Sequence, residues 1–334
     1  MRFLVKSLWL ALSIAVHWSP AAANSSRHTA VVGEPIAKGE FKRMREPSGV
    51  IALDNETLIV IEDEASRALW RLRLSSDGSS NPIFEEFVQP PAKGFIARLR
   101  LAPLDDLEGI ARISSNQFFI IGSHENASRG AHPAREKIAL LTRDGSDIVR
   151  AEMRRDLFDQ ISRQYPELAE LVKGSKKGKN RAMNIEALAF DRKRHKLLIG
   201  LRTPLINNSA IVISLANPID YIEGSAPKFT DPLITIDLNG DGIRAMAYDD
   251  HTDKLIIVSK KESGGKNRST LWSLAATLDE DATSYRSDDK NLFKDVEGLT
   301  PIAEGVLFVR DGGGATNKKG GDHWFILKRE QLGL

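Results

Sequence analysis

Glu108, Glu186 and Glu297 stand at the same place in three copies of one short motif. Three carboxylates that converge without cations repel and raise one another's pKa, so something must balance them. The motif reads apolar residue, Glu or a substitute, Gly or Ala, two small or apolar residues, a polar turn, then an apolar run ending in charge. Its five copies begin at Pro47, Leu107, Ile185, Ile243 and Val296, with Ser48 and Arg244 replacing Glu in the first and fourth. One balance is a divalent cation, for which Ca²⁺ is suited because it takes six to eight oxygen ligands in loose geometry. The other is internal, through Arg244 at the repeat position and Arg202, Lys260 and Arg310 at the ends of the second apolar runs.

Those second-run ends repeat as well: Glu62-Asp63, Ser123-His124, Leu201-Arg202, Ser259-Lys260 and Arg310-Asp311. Basic beside acidic residues at one mouth would suit an anion bridged by metal, as phosphoryl chemistry prefers, and ordinary charge pairing at a polar rim is the plainer reading. In the first case Glu108, Glu186, Glu297 and Asp63 hold the metal, and Arg202, Arg244, Lys260, Arg310 and Asp311 line the anion's place. His124, in a polar stretch with Glu125 and His132, is a candidate general base or ligand, or a solvent-facing loop histidine. Asp237, Asn239 and Asp241 match the first half of a calcium loop, but Tyr248 at the twelfth position cannot supply the bidentate carboxylate of an EF-hand. A short Ca²⁺ loop or a polar turn remains. The glycines between Gly312 and Asp322 lack P-loop spacing and read as a flexible hairpin, and the basic loop Lys173 to Arg181 reads as a mobile loop or an anion lure. Serine-hydrolase elbow and zincin motifs are absent.

Each motif copy is a strand, a tight turn and a strand, and a hairpin cannot bury both its faces alone. The repeat position recurs at Ser48, Glu108, Glu186, Arg244 and Glu297, in steps of 60, 78, 58 and 53 residues. Steps of that size exceed a solenoid coil and suit four-stranded propeller blades. The expected fold is all-β: a five-bladed β-propeller, six-bladed only if a long step hides a degenerate copy. The first strand of each blade lines the channel, which brings the glutamates to one axis. A short N-terminal strand between Val31 and Lys42 should complete the last blade. Residues 153–181 interrupt the pattern, with Leu157, Ile161, Leu168, Leu171 and Val172 at helical spacing broken near Pro166, so this stretch reads as a helical insertion.

Residues 1–23 begin with Arg2 and Lys6, continue with the apolar run Leu8 to Val16 and end in Ala21-Ala22-Ala23, which reads as a secretory signal peptide. Residues 24–334 then form one exported domain, periplasmic or secreted. Loss of that segment removes two cations and no acid, leaving 45 Lys plus Arg against 45 Asp plus Glu, a balance that asks for no nucleic acid. No later run reaches the roughly 20 apolar residues of a spanning helix. Cysteine is absent, which excludes thiolate zinc sites and cysteine nucleophiles; a chain of this length can bury a core large enough to dispense with disulfides.

The units DLEGIA, NIEALAFD with LLIGLR, GIRAMAYD with LIIV, and DVEGLT with VLFV resemble the bacterial family called domain of unknown function 3616, over most of the chain beyond residue 23. The repeated E-G-hydrophobic-A unit is also similar to the propeller family named esterase-like phytase. The second likeness implies a phosphoester hydrolase and carries over to Glu108, Glu186 and Glu297 only; Ser48 and Arg244 depart from it. Two functions follow as expectations. One is a monomeric propeller that binds Ca²⁺ and an anionic small molecule at the channel mouth and hydrolyses a phosphoester by metal-bound water. The other is a noncatalytic propeller of the cell envelope that grips a protein partner through the 124–136 and 153–181 stretches.

Overall fold

The computed structural model describes residues 29–44, 46–63, 69–75, 83–88, 106–124, 135–174, 183–261, 269–311 and 322–334. The expected signal peptide, His132, the basic loop beyond residue 174 and the glycine-rich hairpin lie outside these residues.

Two short strands come first, β1 (Thr29–Val32) and β2 (Ala37–Gly39). Blade I follows as β3 (Pro47–Ala52), β4 (Thr57–Glu62), β5 (Leu69–Ser75) and β6 (Ile83–Val88), and blade II as β7 (Leu107–Arg112), β8 (Gln117–Gly122), β9 (Ile138–Asp144) and β10 (Asp147–Arg154). Blade III is β11 (Asn184–Asp191), β12 (Lys196–Thr203), β13 (Ala210–Leu215) and β14 (Ile234–Ile236). Blade IV holds β15 (Gly242–Asp249), β16 (Lys254–Lys260), β17 (Ser269–Ala275) and β18 (Thr283–Ser287), and blade V holds β19 (Val296–Pro301), β20 (Val306–Arg310) and β21 (Trp324–Leu327). Each blade is an antiparallel meander in chain order.

The second strands are apolar on both faces because each blade is sandwiched between two others, so the usual alternation of a half-exposed sheet disappears. One buried apolar cluster fills each seam. Ile59 and Ile61 meet Phe118 and Leu141 between blades I and II, Phe119 and Leu140 meet Ile185 and Ile199 between II and III, and Leu198 meets Ile257 between III and IV. Ile256 meets Phe308 between IV and V, and Leu307 and Trp324 meet Val60 and Trp70 between V and I. Five seams between five blades close the ring without a sixth.

β2 pairs with β21, Ala37 opposite Ile326 and Gly39 opposite Trp324, so the N-terminal segment supplies the fourth strand of blade V as expected. The segment just before it does something the sequence pattern did not suggest. β1 runs parallel to β18, with Thr29 opposite Ser284, and gives blade IV a fifth strand. β18 itself lies in a polar stretch where no strand was expected; only Tyr285 is buried there, its hydroxyl donating to the carbonyl of Leu332 at 2.6 Å. The helical insertion is present as α1 (Leu157–Gln164) and α2 (Pro166–Gly174), broken at Pro166. Leu157, Ile161, Tyr165 and Leu168 enter the seam between blades II and III. Two details differ from expectation: residues 153 and 154 still belong to β10, and Leu171 faces solvent at 43 % exposure. A single-turn α3 (Pro218–Ile222) completes the described helices of α type.

Candidate functional site

The five repeat positions share a local backbone device. In every blade the register between first and second strands slips by one residue at the motif. Pro47 opposes Glu62 and Gly49 opposes Ile61; Leu107 opposes Gly122 and Gly109 opposes Ile121. The same slip falls between Ile185 and Ala187, Ile243 and Ala245, and Val296 and Gly298. Ser48, Glu108, Glu186, Arg244 and Glu297 are thus the extra residues of five β-bulges. A bulge leaves its residue outside the ladder and re-aims the side chain, which is how each blade presents one of these groups to the axis.

The residue after each bulge must be small. A Cβ on Gly298 would lie 2.7 Å from the Cα of Gly49, and one on Gly109 would lie 2.9 Å from the Leu188 side chain. The inner strands approach closely enough there for Gly and Ala alone to fit, which accounts for the Gly or Ala in every motif copy.

Where the glutamates meet, a guanidinium already stands. Arg244 donates through Nη1 to Glu186 and through Nη2 to Glu297 in two short ion pairs. Glu186 is 1 % exposed and also accepts from Arg202 Nη1 at 2.7 Å and Asn184 Nδ2 at 2.9 Å. Burial weakens the charge of Arg244, but Glu186, Glu297 and Glu108 outweigh it and hold the guanidinium firmly protonated. Burial, then the charges of Glu186 and Glu297, drive Glu108 well above the carboxylate range against the pull of Arg244. Glu297 is raised by burial, with Glu186 and Asp311 adding to it and Arg244 opposing. The channel between these side chains is a cavity of about 10 Å³, room for about one water.

This geometry answers how the carboxylates are balanced: the balance is internal. Both oxygens of Glu186 and one of Glu297 are spent on protein donors, so the set does not fit a Ca²⁺ ion needing six to eight free oxygens. Among the described residues no three His, Asp or Glu side chains gather as a metal site. The calcium-like loop folds as a tight turn. Asp237 Oδ1 accepts the amide of Asn239 at 3.0 Å, Asn239 and Gly240 adopt positive φ of 62° and 79°, and Asp241 turns inward to accept from Ser259 Oγ at 3.0 Å.

The rim residues divide. Lys260 reaches Asp295 at 3.4 Å and Asp311 sits near Glu297, but Arg310 turns away, donating to the carbonyls of Leu292 and Asp322 with its guanidinium over the Phe325 ring at 4.5 Å. It therefore does not join Arg202 and Lys260 around an anion. His124 is buried rather than solvent-facing, with φ 57° and Nδ1 donating to the Gly122 carbonyl at 2.9 Å. Burial holds its pKa down to about 4, so the ring is neutral and is not bonded to any of the glutamates. Asp63 joins a carboxylate that sequence reading missed, Asp106, itself paired with Arg135 at 3.1 Å.

Burial, then Asp106, pushes Asp63 up to about 7. A carboxyl with a raised folded pKa gives stability that is complete below its unfolded value of about 4 and lost as pH rises through the folded one. Asp63→Asn should accordingly flatten the stability profile between about pH 4 and 7, measured by urea midpoints across that window. A profile parallel to that of the unmodified protein would show that Asp63 ionises freely.

The opposite mouth, where first strands turn into second strands, is open. A bowl of about 240 Å³ sits there on the axis, floored by small and apolar residues such as Ala52, Ala111, Ala189 and Ala247. Arg112 and Arg192 face one carboxylate, Asp250, at 3.6 and 2.6 Å, and Arg329 caps the buried Asp249 at 2.5 Å. Burial, then the charge of Arg112, lowers Arg192 to about 10. Arg192 and Asp250 fall six residues after Glu186 and Arg244, an offset at which the five repeats carry Asp54, Ser114, Arg192, Asp250 and Ala303. That mixed set hides the site from motif reading.

Five blades on one axis, each offering a bulged side chain to the channel, define a five-bladed β-propeller with one closed and one open mouth. Residues 142–297, somewhat under half the chain, match the family described as Protein of unknown function (DUF3616). No curated protein matches. Among solved structures, the chain aligns with one titled "Crystal Structure of Mitotic Checkpoint Complex" at 9 % identity and TM-score 0.34, covering 85 % of this chain and 63 % of that one. It aligns with Kuenenia stuttgartiensis hydrazine synthase at 7 % and 0.34, covering 81 % and 57 %, so it spans less than two thirds of either chain. The Cps50 (Swd1) β-propeller domain of Myceliophteria thermophila aligns at 7 % and 0.36, covering 86 % and 71 %.

Proposed function

We propose that this chain is an exported, noncatalytic binding propeller that takes an anionic small molecule in the axial bowl at the first-to-second-strand turns. The observation that carries the reading is the asymmetry of the two mouths. The glutamate mouth is filled by its own ion pairs, with a cavity of about 10 Å³, whereas the opposite bowl offers about 240 Å³, in which Arg112 and Arg192 share Asp250. A ligand carboxylate or phosphate would give Arg112 and Arg192 a directly bonded partner besides the Asp250 they share, and guanidinium forks match such groups two bonds at a time. The apolar floor would take the ligand's carbon skeleton. Export rests on the charged, apolar and small-residue succession of residues 1–23.

Thermal unfolding with citrate, with Ca²⁺ and with neither provides the test, alongside turnover of p-nitrophenyl phosphate. Citrate should raise the melting temperature of the unmodified protein and not of Arg192→Gln, and Ca²⁺ should change neither stability nor turnover. Calcium-dependent turnover lost in Glu186→Gln would move the function to the glutamate mouth and overturn the proposal.

A further inference from the structure

The seam between blades I and II is apolar at one end of its strands and changes character along them, toward the starts of the second strands at Thr57 and Gln117. On β5, Leu69, Arg71 and Arg73 share a face; on β9, Ala139, Leu141 and Arg143 do, since strand neighbours two apart point the same way. The first members of each set pack into the apolar seam. The arginines fall where that seam opens, around a cleft of about 470 Å³ also lined by Phe87, Asn116 and Ser146.

Among the described residues, Arg112, Arg192 and Arg329 each have a carboxylate ion pair, but Arg71, Arg73 and Arg143 have none. Arg143 is 9 % exposed; one Nη2 bond of 2.9 Å to the Gly145 carbonyl is its side chain's only hydrogen bond, and its Nε has no partner. Arg71 is steadied over the Phe87 ring at 5.0 Å. The carboxylates at hand are committed or outward. Asp54 Oδ1 accepts the amides of Glu56 and Thr57 at 2.9 and 2.7 Å, Glu56 is exposed, and Glu85, opposite Arg73 in register, is exposed too. Asp54 favours the Arg143 charge through space only, and a buried guanidinium with no directly bonded carboxylate is costly, a cost that one oxyanion bridging several guanidiniums would offset.

We propose that the cleft between blades I and II is a second binding site, which takes a phosphate-type dianion through Arg143, Arg71 and Arg73, either as the free ion or as the terminal group of a phosphorylated small molecule. It adjoins the axial bowl, with Asp54 on the lining of both, but uses other arginines and stands whether or not that bowl binds a ligand. Its lining shares no residue with the channel of the motif glutamates, and the role proposed for it is recognition.

Calorimetric titration with inorganic phosphate and with glucose 6-phosphate, at fixed ionic strength, tests it. The unmodified protein should bind at least one of them. Arg143→Gln and Arg71→Gln should each weaken that binding roughly tenfold, a loss of about 1.4 kcal/mol, and Arg192→Gln in the axial bowl should leave it unchanged. Tighter binding of the ester assigns the site to a phosphorylated molecule; equal or tighter binding of phosphate assigns it to the free ion. Should Arg143→Gln not fold, Arg71→Gln and Arg73→Gln on β5 decide. No binding of either probe, or binding that survives Arg71→Gln, overturns the proposal, and loss of citrate stabilisation in Arg192→Gln alone would leave the two sites distinguished.

Discussion

Replacing Arg244 with Met should destabilise the folded protein by about 3 to 5 kcal/mol at neutral pH, the range for breaking a buried ion pair by removing one partner. The loss is large because Arg244 bridges Glu186 and Glu297 from a position only 11 % exposed and also restrains Glu108. Met keeps an apolar stem reaching about as far as Nε, so what is lost is chiefly the guanidinium head and its two ion pairs. Its pH dependence gives a second, sharper reading. Without the guanidinium, Glu108 and Glu297, already raised in its presence, rise further. Groups raised in the folded state stabilise it fully below their unfolded values near about 4.3 and lose that contribution as pH rises through the folded ones. The deficit of Arg244→Met should therefore be small near pH 4 and grow toward pH 8, as read from urea unfolding at each pH. A pH-independent deficit would mean that the residue acts through packing alone.

The blade count, the closing N-terminal strand and the axial convergence of Glu108, Glu186 and Glu297 were legible because the repeat fixes which residue of each hairpin faces inward. What the repeat concealed was the mechanism of that orientation. A β-bulge has no residue signature beyond the small residue that follows it, and the slip at Leu107/Gly109 appears only when the strands are paired. The departures at Ser48 and Arg244 carried more meaning than the matches. Ser48 donates to the Leu107 carbonyl at 2.5 Å, neutral and adjacent, while Arg244 supplies the positive charge that three converging carboxylates require. The open bowl was invisible for the opposite reason: Arg112, Arg192 and Asp250 come from three blades, and the repeat position that Arg192 and Asp250 share carries a different residue in each copy except Asp54 and Asp250. β1 and β18 escaped because pairing at an outer edge buries little apolar surface and so leaves no hydrophobic pattern; Val31 is 69 % exposed.

Gly298→Val should be the most damaging single substitution in the inner ring after Arg244, at about 3 kcal/mol, the upper end of ordinary overpacking. Gly298 belongs to β19 and Gly49 to β3, the first and last inner strands to meet when the ring closes, and a Cβ at Gly298 would fall 2.7 Å from the Gly49 Cα and 3.0 Å from its carbonyl carbon. Backbone cannot step aside as a side-chain end can, so the added isopropyl group must push blade V from blade I along the whole seam. At Gly109 the nearest obstacle is the Ile121 side chain at 2.8 Å, with Leu188 next, and a rotamer change can absorb part of the strain. Gly109→Ala should hence cost less than Gly298→Ala, as measured by urea midpoints on both. The reverse order would mean that closure between blades V and I is loose, and that the axis is held by the Arg244 ion pairs rather than by the approach of the strands.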